Sequence, residues 1–345
     1  MNLRVRRVSL INDREEMLEL LNRNFEPGQE RCFDWRHINN PVGEAWVWFL
    51  HDGSKDAVGT VAVFPRRVHV DGKQAVCGQI GGFAVNASHR SLGPAVLLQR
   101  TTFEPVDSGA IPFCFDCPPH DRGMSTFVRI GMRPSCAVTR YVFLLRSDEH
   151  VEKKLGKGLW TKPVIALANL ALASRPKRKH ISGLEVAELA GAFGDEFSDL
   201  DKRVSSAGAL RTSRSAELLN WRHLENPGSS FRVLVARRAG ELLGFLAFTT
   251  GETTACIWDL FGLELDTTGP ALLEATIDVC KQEKLASLHG FCSEDSELRP
   301  LFRKIGFYPR ETEARVVPYE KSNGLPGKLL RNGLLWNFGY VDLMI

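Results

Sequence analysis

The feature that most constrains this 345-residue chain is an internal repeat of long period. The segment "FDWRHINNP" (Phe33–Pro41) returns as "LNWRHLENP" (Leu219–Pro227). "LGPAVLL" (Leu92–Leu98) returns as "TGPALLE" (Thr268–Glu274), and "FVRIGMRP" (Phe127–Pro134) as "FRKIGFYP" (Phe302–Pro309). Three matches in one order, at offsets of 186, 176 and 175 residues, imply a duplicated domain. The first offset is longer because copy one holds ten more residues between its first two landmarks. These fall around "FPRRVHVDGKQAV" (Phe64–Val76), where Asp71-Gly72 reads as a hairpin turn between alternating strands.

Periodicity and punctuation give copy one the order strand, helix, several strands, helix, strand, helix, strand. The strands are expected at 3–10, 45–51, 58–64, 68–70, 76–85, 111–116 and within 136–145. Helices are expected over 13–25, 94–104 and 125–130, with Pro94 in a first turn where its missing N–H costs nothing. Copy two repeats the plan, with strands at 231–236, 243–249, 255–263 and 287–292 and helices at 271–283 and 298–305. The resulting organisation is a first domain over 1–150, a linker over 151–183 and a second domain over 184–345.

Composition is that of a soluble globular chain, with 43% apolar and 25% charged residues. A net charge of +3 lends no support to nucleic-acid binding. The N-terminus has no apolar core of a secretory signal, and no stretch is long and apolar enough to span a bilayer. Eight scattered cysteines read as reduced, buried thiols, so a cytoplasmic location is expected. No metal site is expected either. Cys114 and Cys117 form a C-x-x-C with no second pair, and on a strand their side chains point to opposite faces.

The segment Phe83–Arg100, "FAVNASHRSLGPAVLLQR", runs from a strand through a turn into a helix. Such a junction presents unpaired backbone N–H groups and the positive end of a helix, which together attract phosphates. Arg90 adds a cation, and Gly93 permits close approach of the backbone. An alternative reading is a solvated turn.

The order of strand, Arg90-x-x-Gly93-x-Ala95 and a later "IGM" or "IGF" element resembles the GNAT superfamily of acyl-CoA-dependent N-acyltransferases. The resemblance covers both copies and implies two GNAT-like α/β domains in tandem, each a mixed, mostly antiparallel sheet flanked by helices. It implies that Arg90, Ser91, Leu92, Gly93, Ala95 and Val96 cradle the coenzyme A pyrophosphate. It further implies that the strand through Phe83 and Val85 splays at a bulge, near the paired glycines of "GQIGGFAV", to receive the acyl arm. The Trp-Arg-His-x-x-Asn-Pro element is similar to one in a bacterial subgroup of tandem GNAT proteins, several tied to envelope polysaccharide. Two departures stand out. Phe127 and Phe302 occupy the place of the family's proton-donating tyrosine. In copy two, Asp266 replaces the loop arginine, so copy one is expected to bind the donor and copy two to shape the acceptor pocket.

N-acyl transfer needs a group to take the amine proton. Asp116 and His120, in "FCFDCPPHD" after the donor helix, are the candidates, with a turn-capping role for Asp116 as the alternative. Asp259 lies on the matching strand of copy two and is expected to point into a shared cleft. The expected function is acyl-CoA-dependent N-acylation, with acetyl-CoA as the expected donor and a small amine, such as an amino sugar or envelope precursor, as acceptor. A Fem-like ligase using aminoacyl-tRNA and a non-catalytic binding protein are the alternatives. The repeated Trp35/Trp221 and Arg36/Arg222 are assigned first to folding and second to substrate. The linker, with a basic and apolar character over 153–180, is read first as a helix buried between the domains and second as a peripheral membrane contact.

Overall fold

The computed structural model describes all residues except 1–2, 55, 119–120, 159, 174–181, 205–208, 311–313, 322–334, 340–341 and 343–345. The first half runs β1 (Arg4–Arg7), α1 (Arg14–Asn24), α2 (Glu30–His37), β2 (Trp46–His51), β3 (Gly59–Val70), β4 (Lys73–Val85), α3 (Leu92–Thr101), α4 (Glu104–Asp107), β5 (Phe113–Asp116), α5 (Asp121–Arg129) and β6 (Cys136–Leu144). Two helices follow, α6 (Asp148–Leu155) and α7 (Thr161–Ala173). The second half begins with β7 (Leu184–Glu188), α8 (Asp195–Arg203), β8 (Ala209–Thr212) and α9 (Ala216–Leu219), which passes into a wide turn at Asn220–Leu224. Then come β9 (Arg232–Arg238), β10 (Glu241–Thr250), β11 (Thr254–Gly262), α10 (Leu265–Gln282), β12 (Ser287–Ser293), α11 (Leu298–Ile305), β13 (Tyr308–Arg310), β14 (Arg315–Glu320) and β15 (Leu335–Trp336).

Each half builds a mixed, mostly antiparallel sheet with helices on its faces, as the repeat predicts. In copy one, β1 to β4 are antiparallel neighbours and β4 meets β5 in parallel. In copy two, β9, β10 and β11 are antiparallel and β11 meets β12 in parallel. The hairpin at Asp71-Gly72 forms, with both residues at positive φ (48° and 77°) as a tight two-residue turn requires. One strand differs from expectation. β3 continues unbroken through Pro65, which the sequence places between two strands. β2 pairs only as far as Val63, and β8 joins only at Val68. The missing N–H of Pro65 therefore interrupts no ladder with either strand. The donor-side helix also starts earlier than expected, at Leu92, and the 94–104 span divides into α3 and the separate turn of α4.

The two sheets are joined by an exchange of strands. Sheet order is β1-β2-β3-β4-β5-β14-β6-β12-β11-β10-β9-β7. β6, from the first half, pairs with β12 over Val138–Leu144 and with β13 on its other edge. β14, from the second half, pairs with β5 over Val317–Glu320. The exchanged strands carry core side chains. Tyr141 and Phe143 pack in the copy-two core against Phe302 and Phe307, at ring distances of 5.4 and 5.3 Å. Val317 enters the copy-one core, and Tyr319 stacks on Phe103 at 3.7 Å while its hydroxyl donates to Asp107. Burial of each such side chain is worth about 1.5–3 kcal/mol, so neither core is complete on its own half of the chain.

Candidate functional site: the parting of β4 and β5

β4 and β5 pair at only two positions, Gly78 with Cys114 and Gln79 with Phe115. Beyond them β4 continues to Val85 while β5 ends at Asp116, so the two central strands part. The bulge expected near the paired glycines is present. The β3 register shifts between Thr60 and Ala62, and Gly82 sits at φ 59°, a conformation that favours glycine. Phe83 is partly buried against the copy-one core, and Val85 is buried with its carbonyl accepting the Arg90 Nε–H at 3.0 Å.

After the turn, Ser91 adopts an extended conformation and α3 starts at Leu92. Ser91, Leu92 and Gly93 are exposed, and a Cβ on Gly93 would meet no atom within 4 Å. The expectation for the donors changes here. The Ala95 N–H points to the Ser91 carbonyl at 3.4 Å, and Val96 lies a turn into the helix, where the ladder takes its N–H. Leu92 and Gly93 are the residues whose N–H groups the helix leaves open. Arg90 is exposed, and its guanidinium bonds only neutral oxygens, those of Val85 and Asn24, among the described residues.

The matching place in copy two is closed. α10 starts early, at Leu265, and Thr268, Gly269 and Pro270 are buried within it. A Cβ on Gly269 would lie 2.5 Å from Leu301. Glu264 and Asp266 stand at the start of the helix, and Glu264 is tied to Arg238 at 3.0 Å. Copy two also bulges on its central strand, but the register places Trp258 there, 176 residues after Gly82. An indole fills the position where copy one has a bare backbone.

Asp116 stands at the end of β5, where the strands part, and its carboxylate accepts the Cys117 N–H at 2.7 Å. Burial pushes its pKa up to about 7, against the smaller opposing effect of that hydrogen bond. His120 lies outside the described residues. Asp259 does not face a shared cleft. It is buried in an ion pair with Arg214 at 3.2 Å, and Arg214 also reaches Asp342 at 3.0 Å. Sequence reasoning misses this pairing because its three members lie far apart in the chain. Phe127 and Phe302 are fully buried core residues, so no proton donor stands in the tyrosine's place. The Tyr319 hydroxyl donates to Asp107.

A cavity of about 200 Å³ lies between α2 and copy two, walled by Trp35, Trp221, Phe231 and Trp258. Arg36, Arg66 and Arg222 line it, with no carboxylate among the described lining residues. Arg66 is buried and its Nε–H donates to Gln79 Oε1 at 2.8 Å. The cavity therefore lies within one side chain's reach of the last β4 residue that pairs with β5. Burial, then the neighbouring Arg222, lowers the Arg66 pKa. The buried Nε of Arg36 has no hydrogen-bond partner among the described residues. Sequence reasoning passes over Arg66. Its one signal is a charge at a strand position whose same-face neighbours, Phe64 and Val68, are apolar.

Comparison with known proteins agrees with this fold. Residues 4–120 match the family model of the acetyltransferase (GNAT) domain. No curated protein matches the sequence. Among solved structures, a probable N-acyltransferase of unknown function from Enterococcus faecalis V583 superposes with a TM-score of 0.68 at 14% identity, covering 93% of this chain and 72% of that one. A tandem GNAT protein from the clavulanic acid biosynthesis pathway gives 0.59 at 16% identity, over 92% of this chain and 98% of that one. N-myristoyltransferase from Saccharomyces cerevisiae, solved with bound myristoyl-CoA, gives 0.60 at 15% identity, over 93% and 79%. At these identities the likeness is one of fold.

Proposed function

From a chain whose first half carries a GNAT acetyltransferase domain and whose whole fold is that of tandem GNAT proteins, we propose an acyl-CoA-dependent N-acyltransferase that binds its donor in copy one. The observation that carries the reading is the contrast between the two copies: an exposed helix start beside parted strands in one, a buried helix start and an indole-filled bulge in the other.

Arg90 and the N–H groups of Leu92 and Gly93 would hold the pyrophosphate of the donor, and the bulged backbone at Phe83 would lie along its acyl arm. The thioester supplies the electrophilic carbon that an amine attacks. Asp116, titrating near 7, is suited to accept the proton that the amine must lose. With Phe127 in the tyrosine's place, the proton for the leaving thiolate would come from water.

The arginine-lined cavity supports an acceptor that carries an anionic group, a carboxylate or a phosphate, beside its amine. An amino sugar phosphate or a similar envelope precursor is of this class. Titration with acetyl-CoA, followed by a search for acylated product with acidic and neutral amines, tests both halves of the reading. Donor binding without product from any amine favours the non-catalytic alternative. Absence of donor binding, with transfer from aminoacyl-tRNA, favours the Fem-like one.

A further inference from the structure

Helix α7 is apolar almost all round: between Pro163 and Ala173 its only polar side chain is Asn169. A helix of that composition is normally buried on every side or set against lipid. One face is covered. Ile165, Ala168, Asn169 and Leu172 are partly buried on the stripe facing inward, and α7 packs against α6. Asn169 anchors the pair, accepting from the Ser147 N–H and hydroxyl and donating to Asp148 at 2.9 Å. The opposite face is bare. Trp160 is 60% exposed, Leu167 70% and Leu170 66%, with Val164 between them on the same stripe and Leu155 exposed at the end of α6. Few other large apolar side chains on the described surface are so exposed, and none are so concentrated. The expectation that this helix is buried between the domains is thus corrected: Asn169 fixes one face, and the other meets solvent.

Charge identifies what would cover it. Between residues 151 and 173 there are four lysines, Lys153, Lys154, Lys157 and Lys162, against a single acid, Glu152. That short segment carries as much net charge as the whole chain. We propose that the exposed face of α7 seats the protein on an anionic lipid surface, with the apolar stripe entering the headgroup region and the lysines facing the phosphates. A tryptophan at one end of a leucine-bearing stripe suits an interface between headgroup and acyl chain. At thirteen residues the helix is about 20 Å long, too short to cross a hydrocarbon core of about 30 Å, so the attachment is peripheral and reversible. The surface is complete without the basic run 175–179, which lies outside the described residues.

The full chain should co-sediment with vesicles of phosphatidylcholine mixed with phosphatidylglycerol, bind pure phosphatidylcholine at least about tenfold more weakly, and be released by salt. The double variant Leu167→Glu/Leu170→Glu and the triple variant Lys153→Glu/Lys154→Glu/Lys157→Glu should each lose that binding. All five positions are exposed, so their melting temperatures should match the parent. No binding of the parent to anionic vesicles overturns the proposal. So does binding that survives Leu167→Glu/Leu170→Glu. A parent that is dimeric in sedimentation, and becomes monomeric in that variant, overturns it in favour of a second copy covering the stripe.

Discussion

Trp35 and Trp221 stack at 4.9 Å with their planes 22° apart, and each indole N–H donates to the other's backbone carbonyl, at 2.7 and 3.1 Å. The same residue of each repeat thus meets its counterpart across a local two-fold relation between the copies. The contact accounts for the duplicated Trp-Arg-His element as the clasp between domains, with Arg36 and Arg222 carried beside it into the cavity. Trp221→Ala should cost about 3–5 kcal/mol in denaturant unfolding. Trp35→Ala combined with Trp221→Ala should cost less than the sum of the two, because the stacked pair is lost only once. Strict additivity would show that the clasp is not a coupled unit.

The two repeat glycines should behave oppositely. Gly93→Ala meets open space and should leave stability within about 1 kcal/mol, whereas Gly269→Ala drives a methyl to 2.5 Å from Leu301 and should cost about 1–3 kcal/mol. Arg90→Glu should weaken acetyl-CoA binding at least tenfold, about 1.4 kcal/mol, while Asp266→Arg changes it little. Calorimetric titration of the variants reads both effects. Equal loss from changes at either loop would contradict donor binding by copy one alone.

Asp116 should set the pH dependence of catalysis. With its pKa near 7, kcat/KM should rise with pH through that value as the carboxylate forms, and Asp116→Asn should lose that limb and about two orders of magnitude in kcat. The effect on stability has the opposite direction. The folded-state pKa is raised above the ordinary 3.8, so the native protein holds this proton more tightly. Its contribution to stability is fully present below about pH 3.8 and lost as pH rises through about 7. Asp116→Asn should flatten that loss in thermal melts taken across the window.

Asp201 should report on acid unfolding. Burial works against its charge, but hydrogen bonds from His69 and Ser213 and the charge of Arg211 outweigh this and hold its pKa below the ordinary 3.8. Its stabilisation is therefore present above that value and lost as pH falls through the folded-state pKa. His69 belongs to copy one and Asp201 to copy two, with Nε2 and Oδ2 at 3.1 Å, so the loss loosens the domain contact. Asp201→Asn leaves Arg211 buried without its carboxylate and should cost about 3–5 kcal/mol at neutral pH.

The strand exchange predicts that the halves fold together. Residues 1–150 expressed alone should expose the edges of β6 and lack Val317 and Tyr319 from their core, and should aggregate or remain partly unfolded. Co-expression with residues 151–345 should yield a soluble complex. A stable, monomeric isolated half would show that the exchanged strands are dispensable.

The repeat, the Asp71-Gly72 hairpin, most of the helices and strands, and the opposed characters of the two glycine loops were legible in the sequence, because each rests on short-range chemistry. A turn needs particular φ angles, a helix start leaves particular N–H groups open, and a strand alternates its faces within a few residues. What only the tertiary structure decided was which distant segments meet. A strand's pattern shows that it is buried but not which neighbour it pairs with, so the crossing of β6 and β14 into each other's sheets left no trace in the periodicity. The same holds for charge. Asp259 and Asp116 look alike as aspartates on central strands, yet Arg214, folded in from 45 residues away, pairs with one, while the other, where β4 and β5 part, accepts a backbone N–H from Cys117 and has no ion pair among the described residues. Trp35 and Trp221 are identical in type and context, and it took the approach of two domains to make them one contact.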